Sequence, residues 1–245
     1  DADSPVATDV AGPADPAIDT SLAFPNILNL VGVPAQAEDW SVFSFSDLGS
    51  WQSFGLSDET LLGGFSGPFG LLDGRWISPS FMRLSVRDVD AGIYLDFTFA
   101  SDVELTSYPG RLQQSFVMDG LRVQLDLRFV SSRSALVSAT VFNQRSVAAS
   151  LELSWSGALF PGVGTVTPST RGIEAVLANG TVAAVSVLDG VASTTGATSY
   201  LIEGTSPVSI SPGEQLQRHA VMSLTFGSGD LATEYGLVDE VLADP

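Results

Sequence analysis

Between Leu121 and Phe129 the sequence alternates without a break. Leu121, Val123, Leu125, Leu127 and Phe129 are apolar; Arg122, Gln124, Asp126 and Arg128 are polar. Successive side chains of an extended strand point to opposite sides, so this run has one face for a core and one for water. The same period of two recurs at Met82, Leu84 and Val86, at Ile93, Leu95, Phe97 and Phe99, and at Leu151, Leu153 and Trp155. Asp119-Gly120, Asn179-Gly180 and Asp189-Gly190 fall between such runs as hairpin turns. Further strands are predicted at 173–178, 181–188, 198–203, 206–211 and 215–226. Many short strands with turns at this spacing give an all-β fold, a large antiparallel two-sheet sandwich.

The two ends depart from this pattern. Residues 1–23 hold Pro5, Pro13 and Pro16, five aspartates and no aromatic or basic residue. Proline blocks helix and central-strand pairing, so they read as an extended N-terminal arm, with the sandwich domain over 24–245. At the other end Leu231, Tyr235, Val238 and Leu242 share one face at helical spacing, after N-cap candidates in Ser228-Gly229-Asp230. A short C-terminal helix is predicted there.

The stretch from Phe45 to Leu84 carries Trp51, Trp76 and three paired-turn signals, Gly63-Gly64, Gly67-Pro68 and Asp73-Gly74. Its segments DLGSWQSFGL and LLGGFSGPFGLL resemble the N-terminal β-sandwich domain of bacterial glucosidases of glycoside hydrolase family 63. FPNILNLVGVP from Phe24 is similar to that domain's opening segment. LRVQLDLRFVSSRSALVSATVFN and LELSWSGALF look like its middle strands, and SLTFGSGDLATEYGLVDEVLADP like its exit segment. In that family a helical (α/α) barrel follows and carries the catalytic acid and base. The resemblance places the start of such a barrel at Pro245, so no family catalytic residue has a matching position. The expectation is a protein without enzymatic activity.

The formal net charge of −18 excludes binding to nucleic acid through its phosphates. With no cysteine, disulfides and thiolate metal sites are excluded. No apolar run approaches the length of a membrane span. The first residue is Asp1, which suits a mature chain, secreted or extracellular, with periplasm or cell surface as alternatives. A mean hydropathy of +0.27 is high beside this charge and suits apolar surface covered by a partner.

Chemistry is sparse. The lone His219 lies in a strand pattern without a nucleophile motif, and reads as structural. No metal site or cofactor is predicted. Asp88 and Asp90 read as a solvated turn, and Asn179-Gly180-Thr181 as a glycosylation sequon. Asp47, Asp58 and Glu59 are the carboxylates worth locating, since glycosidases use facing pairs. Candidate partner contacts are Ile18, Leu22, Phe24, Ile27, Leu28, Trp51 and Phe65; weaker carbohydrate contacts are Trp40, Trp51 and Trp76. The expected function is a structural one: copies of the chain assembling, filament-fashion, through the arm. The alternatives are an accessory subunit on a separate helical catalytic chain, or a carbohydrate-binding module.

Overall fold

The structure, a computed structural model, describes residues 25–245. The arm predicted over 1–23 lies outside them, as does Phe24. Seventeen strands follow in chain order. They are β1 Gln52–Leu56, β2 Phe65–Gly70, β3 Arg75–Trp76, β4 Arg83–Asp88, β5 Ile93–Tyr94 and β6 Ser101–Tyr108. Next come β7 Arg111–Met118, β8 Leu121–Phe129, β9 Ser134–Asn143, β10 Ala149–Ala158, β11 Gly164–Ser169 and β12 Gly172–Leu177. The last five are β13 Val182–Val187, β14 Val191–Thr194, β15 Ser199–Glu203, β16 Val208–Ile210 and β17 Gln215–Thr225. One helix, α1, closes the chain at Gly227–Ala243.

One layer is an eight-stranded antiparallel sheet in the order β11-β12-β13-β17-β9-β8-β7-β6. The other joins a six-stranded sheet, β14-β15-β10-β4-β5 with β16 also on β10, to the three-stranded sheet β1-β2-β3. A bridge between Gly64 and Arg83 links those two sheets. The predicted run from Leu121 to Phe129 is β8, and its five apolar residues are all buried while its polar ones face out. Leu84, Val86, Leu151 and Trp155 meet them in one continuous core. Buried Gln114 of β7 ties the layers together. Its Nε2 donates to the Gly64 carbonyl at 2.6 Å and its Oε1 accepts from the Gly63 amide at 3.2 Å. Gly63 has φ +91°, and a Cβ there would sit 2.8 Å from the Leu84 carbonyl oxygen, so glycine is required.

The two sides of the sandwich differ. On one, the Val166 amide of β11 donates to the Ala197 carbonyl at 2.8 Å, stitching the layers shut. On the other, β5 and β6 each end their sheet, and among the described residues no backbone hydrogen bond pairs the two strands. Helix α1 lies on the outer face of the large sheet. Val238 and Leu242 pack on Leu136 and Val221, and Leu231 and Tyr235 on Val182 and Ala184.

Four local expectations need correction. The alternation over Ile93–Phe99 yields only the two-residue β5, because Asp96 caps a 3-10 turn by accepting from the Thr98 amide at 3.1 Å. That turn buries Phe97 against Phe116 and leaves Phe99 77% exposed. Gly67-Pro68 is not a turn between strands but a cis peptide inside β2. Helix α1 starts at Gly227 with no side-chain cap, so Ser228 and Asp230 sit within its first turn. Asp88 is buried rather than solvated.

Candidate functional site

The most distinctive surface lies where the described chain begins. Asn26, at φ +56°, sits against the last residues of β6: its amide donates to the Ser107 carbonyl at 2.7 Å, and its Oδ1 accepts from the Ser107 amide at 2.9 Å. Ser107 Oγ also donates to the Leu28 carbonyl at 3.1 Å. These bonds hold Ile27 and Leu28 on the surface, 69% and 60% exposed. With Leu30, Phe45, Tyr108 and Pro109 they line an apolar groove of about 230 Å³. Arg111 stacks over the Tyr108 ring at 4.8 Å, so the groove's rim carries one cation. Ile27 and Leu28 were candidates from sequence. Phe45, Tyr108 and Pro109 were not, because they reach the groove from distant parts of the chain. Ile18, Leu22 and Phe24 lie outside the described residues.

The other candidates divide by burial. Phe65 is 3% exposed and belongs to the core beneath β2, so it offers no partner contact. Trp76 is 1% exposed, its Nε1 donating to the Asp39 carbonyl at 2.8 Å; no sugar can stack on it. Both were misplaced because an aromatic in a turn-rich stretch reads alike whether it plugs the core or faces water. Trp51 is half-buried against Phe226, with ring centroids 4.5 Å apart, and the Arg133 guanidinium sits 4.7 Å from its ring. Trp40 is 70% exposed, edge-on to Phe69 at 6.2 Å.

The carboxylates do structural work. Asp58 Oδ1 accepts from the Thr60 amide at 2.9 Å and caps the 3-10 turn that begins with Glu59. Asp47 Oδ1 accepts from the Leu48 amide at 2.7 Å. Asp88 receives Arg145 Nη1 at 2.6 Å and the Ala91 amide at 2.9 Å. Burial alone pushes the Asp88 carboxyl up, but these donors outweigh it and hold the pKa below the usual carboxylate value. Among the described residues no three potential metal ligands cluster.

His219 stands on the outer face of the large sheet, Nδ1 3.0 Å from Ser138 Oγ. Partial burial, then the charges of Arg128 and Arg218, lower its pKa. Beside it Asp126 collects Gln113 Nε2 at 2.9 Å and Gln124 Nε2 at 2.7 Å. No carboxylate among the described residues hydrogen-bonds to His219, so this face holds no nucleophile–histidine–acid relay.

Comparison with known proteins agrees with the architecture. A protein of Escherichia coli K12 assigned as an aldose 1-epimerase superposes with a TM-score of 0.54 at 9% identity, over 75% of this chain and 98% of that one. The Slr1438 protein from Synechocystis sp. PCC 6803 gives 0.51 at 12% identity, over 82% and 99%. A polysaccharide lyase gives 0.53 at 10% identity, over 76% of this chain but 34% of the lyase. At such identities the likeness is one of fold. The sequence itself is more specific, because residues 33–198 match the model of the N-terminal domain of the glucosidase YgjK. This chain therefore belongs to the family of glucosidase YgjK N-terminal domains.

Proposed function

We propose that this domain acts through protein–protein contacts, as a non-catalytic extracellular subunit that assembles with further copies of itself in filament fashion. The observation behind this is the apolar groove beside β6, with Ile27 and Leu28 69% and 60% exposed at its lip. Covering such side chains removes apolar area from water, which favours association. The non-catalytic half of the proposal is supported by the family match, which is to a glucosidase's N-terminal domain. It is also supported by Asp47 and Asp58, engaged in local turns, and by Asp88, engaged with Arg145.

A second reading is favoured by that same match: the groove meets a helical catalytic chain of glucosidase type. Sedimentation velocity and negative-stain microscopy over a concentration series separate the two. The first reading expects open-ended oligomers that lengthen with concentration. A chain that stays monomeric at every concentration overturns it. Hydrolysis of aryl glucosides by the pure chain, lost on Asp47→Asn, would overturn the non-catalytic assignment common to both.

A further inference from the structure

The edge of β6 is more than a rim to the groove. In an antiparallel ladder alternate residues turn their backbone groups toward the partner strand and away from it. Ser107 turns away from β7, because its N–H and C=O are taken by Asn26. Leu105, two residues earlier with the register to β7 unbroken between them, turns the same way. Among the described residues nothing takes its N–H or C=O. Apolar side chains stand at both ends of this edge, Phe99 at 77% exposure before β6 and Ile27 at 69% beside its end. A bulge at Asp102, φ +50°, confines the regular edge to Glu104–Ser107, within which Leu105 carries the outward backbone pair left open.

A segment suited to that edge lies in the sequence just ahead of the described fold. Ile18, Thr20, Leu22 and Phe24 alternate with Asp19, Ser21 and Ala23, the period of a strand with one apolar face. We propose that residues 18–24 of a second copy add to the β6 edge as an extra strand, paired through Leu105, with their apolar side chains in the groove. The inference rests on the self-assembly reading above and names its site. The second copy is preferred to the chain's own residues by Asn26. Its left-handed φ of +56° is not extended backbone, so Asn26 itself does not continue a strand along the edge. Strand addition of this kind supplies backbone bonds for affinity and side-chain pockets for selectivity. Because the donor segment and the accepting edge are different surfaces, the contact is head-to-tail and repeats into an open filament unless its rotation closes a ring.

Hydrogen exchange of the full chain, read on the peptide spanning 101–108 alongside light scattering, tests this. In concentrated protein the Leu105 amide should exchange at least about tenfold more slowly than in dilute protein, equivalent to about 1.4 kcal/mol. In the double variant Ile18→Asp, Leu22→Asp it should exchange fast at every concentration. Slow exchange in the dilute monomer means the chain's own residues 18–24 cover the edge, and overturns the proposal. Fast exchange while the particles still grow places the contact elsewhere: this site fails and self-assembly stands. A strictly monomeric chain with a fast edge ends both.

Discussion

Arg145 is locked onto Asp88 across the two layers of the sandwich: Nη1 lies 2.6 Å from Asp88 Oδ2, while Nε donates to the Asp119 carbonyl at 2.7 Å. Asp88 ends β4 in the six-stranded sheet, and Asp119 opens the β7–β8 hairpin of the eight-stranded one. One guanidinium thus clamps a strand end of one layer to a turn of the other.

Breaking this clamp should cost more from one side than from the other. Arg145→Gln leaves a carboxylate that is 4% exposed without its cation, for a loss of about 3–5 kcal/mol. Asp88→Asn leaves an arginine that is 21% exposed and can turn to water, for a smaller loss of about 1.5–3 kcal/mol. The folded-state pKa of Asp88 is depressed, so its contribution is full above the unfolded value of about 3.9 and fades as pH falls through the folded value. Denaturant titrations at pH 7 and pH 3 should show the gap between the parent and Asp88→Asn narrowing in acid.

The interior of β8 gives a second test. Leu125 has no exposed surface, and Leu125→Ala should destabilise by about 2–5 kcal/mol. Its neighbour Gln124 points outward and donates only to Asp126, so Gln124→Ala should cost about 1 kcal/mol or less. Equal melting-temperature losses would refute the assignment of faces.

A single histidine makes titration unambiguous. The His219 ring proton signals should shift with a midpoint below 6.5, because burial and two arginine charges disfavour the imidazolium. Replacing Arg128 with Gln should move the midpoint up. Since the unfolded chain takes up the proton first as pH falls, His219 should weaken the fold between pH 6.5 and its own lower midpoint. The His219→Gln variant should lack that slope in stability.

The tryptophans should separate by accessibility. Trp76→Ala should cost about 3–5 kcal/mol, as for any large core residue. Trp40→Ala should shift stability by about 0.5 kcal/mol or less, and Trp40→Phe should remove most of the acrylamide-quenchable fluorescence. Quenching unchanged in Trp40→Phe would mean that another indole is open.

The strands were legible because a half-buried sheet imposes a period that survives in one dimension. The run 121–129 is β8 residue for residue, and the predicted strand at 215–226 is β17 to within one. Ile93–Phe99 misled for a definite reason: Asp96 competes for the backbone, and the chain turns while its apolar spacing is unchanged. The surface was less legible. Ile27 and Leu28 could be suspected from a run of apolar residues. The groove they enter also needs Phe45 and Tyr108, whose proximity is a product of topology alone. Asp88 was hidden similarly, since its partner Arg145 is far along the chain and a buried carboxylate has no local signature.

The position of β17 sets a schedule for making this protein. It is the last strand in the chain, yet it lies mid-sheet between β13 and β9. Wherever the chain emerges from its N-terminal end, all residues of the meander β6–β9 and of the hairpins β11–β13 appear well before Gln215. Until then each presents an unsatisfied edge, and that of β9 belongs to a strand buried along most of its length. At about 5–20 residues per second, the wait from Val187 to Thr225 lasts a few seconds. During that interval the large sheet can form only as two halves, and a holdase that shields the β9 edge should raise the yield of folded protein.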